Sequence, residues 1–448
     1  MKRLAGTVVA LVTVAITIVA ARHEPAGADG GVLRTVPVGR RAVAVAVDAR
    51  SGRVFIADRD SRDIRVLDAT TGDALGQLGL GRDPYALAAA SLPLAPAMFT
   101  VDPDRDRVYV GTDYDAVLAL NGTGQPRGSV RATGLVAITA MAVHAGRVFV
   151  VGIGVPAAGL QVDTLDSRSG RLVLVRTAAL GGVQPAAGVA SGYHGGGVAI
   201  AARTGRLFVG SMTHNVLHVV RLSDGVAIGA AQIGTLTAPP VAEAVDDRTG
   251  HVFVVTDVGN SVEMADARTG SALRRVFVGG FPVALAVDQR TRRAFVVSRG
   301  PVDSGGNPTG AGHGSVAVID TRTGALLATV SVGVGPGAVA IDVRRERVFI
   351  ANTGAVDARG VVIDPGSVSV LDARTGMVRE TLAVGLAPTA VAVDEQTARA
   401  FVVNFGGRAI RDPWKWLPSD VRRRLPSVPK PQTVDVPSTV SVIDAAST

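Results

Sequence analysis

One pattern recurs eight times along this chain: a small apolar run, a polar turn, and a second run with an aromatic residue at its centre. "AVAVDARSGRVFIA" (44–57), "GVAIAARTGRLFVG" (197–210), "AEAVDDRTGHVFVV" (242–255) and "AVAVDEQTARAFVV" (390–403) are four of the copies. Each reads as two strands joined by a hairpin, because Asp at the turn can hydrogen-bond the backbone ahead of it and Gly accepts the unusual φ. The aromatic positions are Phe55, Tyr109, Phe149, Phe208, Phe253, Phe295, Phe349 and Phe401. They take eight of the chain's seventeen Phe, Tyr and Trp residues, so one repeat position monopolises the large rings. A ring placed once per unit inside a strand is a packing device between neighbouring units.

A second hairpin follows in each unit, turning at sequences such as "DARTG" (266–270 and 372–376) and "DTRTG" (320–324). Four short antiparallel strands in about 45–55 residues make a propeller blade. The 54 glycines and 23 prolines suit such a turn-rich all-β chain. The last unit stops at its second turn, "DAAST", without a fourth strand, while "LRTVPVG" (Leu33–Gly39) stands ahead of the first unit. That segment matches "LATVSVG" (327–333) and "RETLAVG" (379–385), so the two ends are expected to pair and close a ring. Pro37 fits an outermost strand, where a missing N–H costs no ladder bond. The expected fold is therefore an all-β, eight-bladed β-propeller of four-stranded antiparallel blades. Seven blades is the alternative, because units two and three match the pattern least well.

Residues 1–29 read as an export signal: a basic "MKR", an uncharged apolar run Leu4–Ala20, and small residues that permit cleavage after Ala28. An uncleaved membrane anchor is the alternative, and only then would the chain engage a membrane. The remainder, 30–448, is expected to be a single propeller domain working outside the cytoplasm as a monomer, in the periplasm, at the cell surface or secreted. Absence of cysteine excludes disulfides, thiolate metal sites and thioether-linked haem. The formal net charge is +8, and 43 of the 46 basic residues are arginine. These are scattered singly through turns and strand faces, which argues for a solvated surface and against nucleic-acid binding.

The stretches "VFIANTG…GSVSVLDARTGMVRETLAVG" and "AFVVNFGG…STVSVIDAAST" resemble the YVTN-type β-propeller repeat family, over nearly the whole of the mature chain. The resemblance implies the propeller architecture and export, in a family of surface-layer and periplasmic proteins, many without enzymatic activity. It also implies structural kinship with propeller lactonases and with the heavy subunit of methylamine dehydrogenase.

Little in the residues points to catalysis. The innermost strands, which line the channel, read "AVAVAVD", "VALAVD" and "TAVAVD", and each terminal Asp is explained by turn capping. One ionisable residue lies within them, Glu243 in "VAEAVDD". His194 in a blade connection and His313 in a long loop complete the weak catalytic candidates; a lactonase-like hydrolase or an electron-transfer partner subunit would need all three to converge at the channel mouth. No metal site and no cofactor is expected. His214 and His218 are too far apart on one strand to share an ion, and "DPDRDRVYVGTD" lacks the turn Gly and closing Glu of a calcium loop.

Three consecutive second-to-third-strand loops are expanded, in blades six, seven and eight. The last, 404–437, carries both tryptophans, Trp414 and Trp416, with Arg411 and the basic cluster Arg422, Arg423 and Arg424. "PWKWLPSDVRRRLP" suits a short helical turn starting at Ser419. These residues are the candidate binding site, for a protein or cell-envelope component. A loop that caps the propeller mouth with its tryptophans turned inward is the structural alternative. The reading is an exported, non-enzymatic binding scaffold.

Overall fold

The computed structural model describes residues 31–448 apart from 81–95, 103, 113–115, 132–134, 155–158, 181–196, 212–214, 234–239, 257–259, 301–311, 357–360 and 412–431. The expected export signal, His194 and His214 therefore lie outside the described residues. The described strands form eight four-stranded antiparallel sheets, together with two short ribbons. Blade one runs Ala42–Asp48, Arg53–Asp58, Asp63–Asp68 and Ala74–Gly79 as a simple meander. Blades two and three, the poorest matches in sequence, are complete, which settles the count at eight. Each innermost strand touches the next around the whole circle, including Ala42–Asp48 against Pro388–Asp394, so the ring is closed.

Closure follows the sequence expectation. Val32–Gly39 pairs with Ser438–Asp444, with Thr35 opposite Ser441, Val36 opposite Val440 and Pro37 opposite Thr439. Pro37 is exposed on the outermost strand of blade eight. The first strand is thus the last strand of the ring, and no sheet is left a strand short.

The core is divided into eight clusters, one at each seam between blades, and each contains one of the eight aromatics. Phe208 of blade four packs with Val245, Val252 and Val254 of blade five, for example. All eight rings are fully buried. Burying one ring contributes on the order of 2–3 kcal/mol, so the repeated aromatic position holds each blade to its successor.

The turns are built as their sequences require. Asp266 Oδ1 accepts the backbone N–H groups of Arg268 and Thr269 in the first "DARTG", and Asp372 does the same for Arg374 and Thr375 in the second. The turn glycine serves two needs at once. Gly376 has φ 76°, and a Cβ there would stand 2.7 Å from Val318 Cγ2 of the preceding blade. The fourth strands are largely exposed, and bulges turn Leu75, Ile228, Leu273 and Leu327 outward on these edges.

The arginines correct the reading of an evenly solvated surface. Two residues before the aromatic stand Arg53, Arg107, Arg147, Arg206, His251, Arg293, Arg347 and Arg399, one per blade. Several of these reach across a seam to a carbonyl of the next blade. Arg147 Nη1 donates to Leu222 O at 2.9 Å, Arg293 Nε to Arg374 O at 2.6 Å, and Arg347 Nε to Thr448 O at 2.5 Å. His251 makes the same link through Nδ1 to Thr321 O at 2.8 Å, so that nitrogen carries the proton. A guanidinium has length and donors enough to bridge blades, which explains the preference for Arg over Lys.

Candidate functional site

Glu243 lies in the middle of the innermost strand of blade five, Pro240–Asp246, opposite Val254. Its strand neighbours are partly exposed towards the channel, but both carboxylate oxygens are shielded from solvent and have no hydrogen-bond partner. The side chain turns sideways into the seam with blade four. There it meets two glycines: a Cβ at Gly197 would overlap Oε2, and a Cβ at Gly210 would overlap Oε1. Gly210 N–H donates to Gly197 O at 3.3 Å, which keeps the two glycines side by side. The carboxyl therefore rests on bare backbone, in a notch that any side chain would fill.

The remainder of that seam is apolar, built from Ala199, Ala201, Phe208, Leu217, Val219, Ile233, Val245, Val252, Val254, Ala265 and Ala267. Burial without a counter-charge or donor disfavours the ionised form, and the Glu243 carboxyl is pushed up to about 8. It is thus a proton-carrying acid at neutral pH. Asp372 is the opposite case: burial also opposes its charge, but hydrogen bonds from Arg379, Thr375 and Arg374 outweigh that and hold it at about 2.

The same row of blade five continues from Glu243 through Val254 to Glu263 and Arg275, all on one face of the sheet. Glu263 is buried, whereas Glu243 is part-buried with only its carboxylate oxygens shielded, and Glu263 is ion-paired to Arg275. Of the two glutamates in this row, the outer one alone has a cation among the described residues.

His313 is exposed on the loop of blade six, where its Nδ1 lies 3.0 Å from Val332 O. It does not meet Glu243, whose oxygens face blade four. Among the described residues, no group of three or more His, Asp or Glu is placed to hold a metal ion, and no helix is long and apolar enough to cross a membrane.

The expanded loops are partly zipped. In blade eight, Gly407–Arg411 pairs with Gln432–Val436 as a two-stranded ribbon, with Arg411 opposite Gln432 at its end. Trp414, Trp416, Arg422, Arg423, Arg424 and the helical turn expected at Ser419 lie beyond it, outside the described residues. In blade seven, Ala355–Val356 pairs with Val362–Asp364. A parallel bridge between Val361 and Arg408 joins the two ribbons. Val356 and Ile363 are exposed on this ridge. At its base the Arg41 guanidinium sits 5.6 Å from the Phe405 ring centroid, tying blade one to blade eight by a cation–π contact.

The sequence pointed to Glu243 but not to what receives it. The available signal was a glycine two residues after the aromatic, Gly210 after Phe208, where six other blades carry Ala or Val at positions 57, 151, 255, 297, 351 and 403.

No protein-family model and no curated protein matches the sequence. Solved structures do match in fold. The computationally designed Ika8 protein superposes with a TM-score of 0.59 at 16% identity, covering 93% of this chain and 100% of that one. BamB from Moraxella catarrhalis gives 0.58 at 12% identity, over 92% of this chain and 99% of its own. Sqt1 from Saccharomyces cerevisiae gives 0.61 at 10% identity, over 93% and 99%. At such identities the likeness is one of architecture, and what this chain shares with these proteins is the propeller.

Proposed function

We propose that the chain is an exported, non-enzymatic scaffold of the YVTN-repeat type, which binds a protein or cell-envelope component through the loop face of blades six to eight. The observation that carries this reading is the joined ribbon of blades seven and eight. Two loops that need only connect strands instead form a shared raised ridge, bridged from Val361 to Arg408, with Val356 and Ile363 exposed on it. Exposed apolar groups on ordered backbone, held by a rigid ring, suit recognition of another macromolecule. Glu243 supports the non-enzymatic reading, because its oxygens are turned from the channel into a seam.

The test is in-cell photocrosslinking from a probe at position 363, in the full chain and in a variant with 412–431 replaced by a two-residue turn. A specific adduct that disappears in the variant, with unchanged thermal unfolding, is expected. An unchanged adduct pattern excludes the loop as the binding element. Export is checked separately by mass spectrometry of the mature protein, expected to begin at Asp29; a chain retaining Met1 overturns cleavage.

A further inference from the structure

Seven of the eight innermost strands carry an apolar residue at the position of Glu243. The pairing registers place Val45, Phe99, Met141, Val198, Leu285, Val339 and Val391 there. These side chains pack into the seam clusters of their own blades. An acid at the eighth position cannot be explained by packing alone. Its oxygens are shielded and unpartnered, and the neighbouring blade makes room for them with two glycines. We propose that Glu243 is a proton-dependent latch between blades four and five: the seam closes on the neutral acid and loosens when the proton leaves.

Among the described residues, none near Glu243 offers an ionised carboxylate help. The strand Val198–Ala201 of blade four offers no titratable group. Arg206, on the next strand, lies on the same face as Gly210 but four residues away, roughly 13 Å along the strand. Glu263 shares the row of Glu243 beyond Val254, and its charge is already matched by Arg275. From blade six, Leu285 and Val287 pack in the seam on the far side of blade five. Asp246 and His251 are also engaged on the blade-six side, each with Thr321. An ionised Glu243 therefore draws in water, which loosens the contact of its carboxylate with Gly197 and Gly210.

The sign follows from burial. The folded acid holds its proton up to about pH 8, whereas the free side chain releases it at about 4.5. The latch contributes its full stability below pH 4.5, and that contribution falls progressively and is lost as pH rises through about 8. An envelope protein so built would be tight in acidic surroundings and looser in alkaline ones.

The experiment compares the wild-type chain with E243Q, which keeps the shape and abolishes the titration, from pH 5 to pH 9.5. Wild-type Tm is expected to fall relative to E243Q over the interval to about pH 8 and to level off above it. Amide exchange in 197–210 and 240–256, corrected by the E243Q rates, is expected to rise above pH 8 in the wild type alone. Isotope-edited infrared difference spectra give a second readout: a protonated-carboxyl band present at pH 7, lost above pH 8 and missing from E243Q. Parallel Tm curves, or absence of that band at pH 7, overturns the proposal.

Discussion

The seam between blades two and three and the seam between blades four and five share one device and fill it with opposite chemistry. In both, the residue two beyond the aromatic is glycine, Gly111 after Tyr109 and Gly210 after Phe208. In both, the innermost strand of the following blade sends a long side chain into the gap. A Cβ at Gly111 would stand 3.1 Å from Met141 Cε, and one at Gly210 would overlap Glu243 Oε1. Met141 fills its notch with a soft, apolar thioether that adapts to an irregular gap. Glu243 fills the equivalent notch with a carboxyl that has nothing to bond to. The fold supplies a socket, and one side chain decides whether the seam is indifferent to pH.

Exchanging the two fillers should give the largest effects. Glu243→Met is expected to raise stability at pH 7 by about 3 kcal/mol, since each pH unit of upward shift in a folded carboxyl costs ~1.4 kcal/mol. Met141→Glu is expected to lower it by a similar amount, because the seam of blades two and three is equally apolar. Urea unfolding midpoints at pH 7 check both; equal values for wild type and Glu243→Met remove the charge-burial account.

Filling the notches comes next. Gly210→Ala is expected to cost about 2 kcal/mol and Gly111→Ala about 1 kcal/mol. At Gly210 the new methyl meets the carboxyl and also stands 3.0 Å from Pro240, which cannot move freely. At Gly111 the nearest atoms belong to Met98, at 2.8 Å, and Met141, both flexible. If Gly111→Ala proves the more damaging, the notch at blade four is wider than the Glu243 packing implies.

Acid titration separates the carboxyls further. Asp372, held at about 2, contributes stability that is present above pH 3.8 and lost as pH falls through about 2. Glu243 loses its contribution in the other direction, as pH rises. Asp372→Asn should therefore flatten the acid limb of the stability curve and leave the limb above pH 5 unchanged. A changed alkaline limb would show that the two sites are coupled.

The smallest effect expected is that of Tyr109→Phe. Tyr109 donates to Ser167 Oγ at 2.6 Å across the seam of blades two and three, a bond the seven phenylalanines cannot make. Its loss should cost about 1 kcal/mol, softened because Ser167 keeps its own bond to Gly146 O. Calorimetric Tm of the variant tests this.

Much of the ring was legible because its instructions are local. "DARTG" dictates a hairpin within five residues, and alternation of apolar and polar positions dictates strands. The orphan "LRTVPVG" announces its pairing by likeness to the other fourth strands. The arginine clasp was written nearly as regularly, two residues before seven of the eight aromatics, yet it read as scatter because the acceptors of Arg107, Arg147, Arg293 and Arg347 belong to the next blade. Glu243 was conspicuous as a charge in a strand of alanine and valine, but the strand pattern cannot tell channel from seam for a side chain long enough to turn aside.

The sequence alone determined the all-β class, the repeating unit, the aromatic spine and the pairing of the two ends, since each is a short-range pattern legible in the chain itself. Only the tertiary structure decided that Glu243 faces Gly197 and Gly210, that Arg147 reaches Leu222, and that the loops of blades seven and eight join from Val361 to Arg408. Those partners lie some 30 to 75 residues apart in the chain. What a buried carboxyl meets depends on how neighbouring sheets are set against each other, which no repeat encodes in itself.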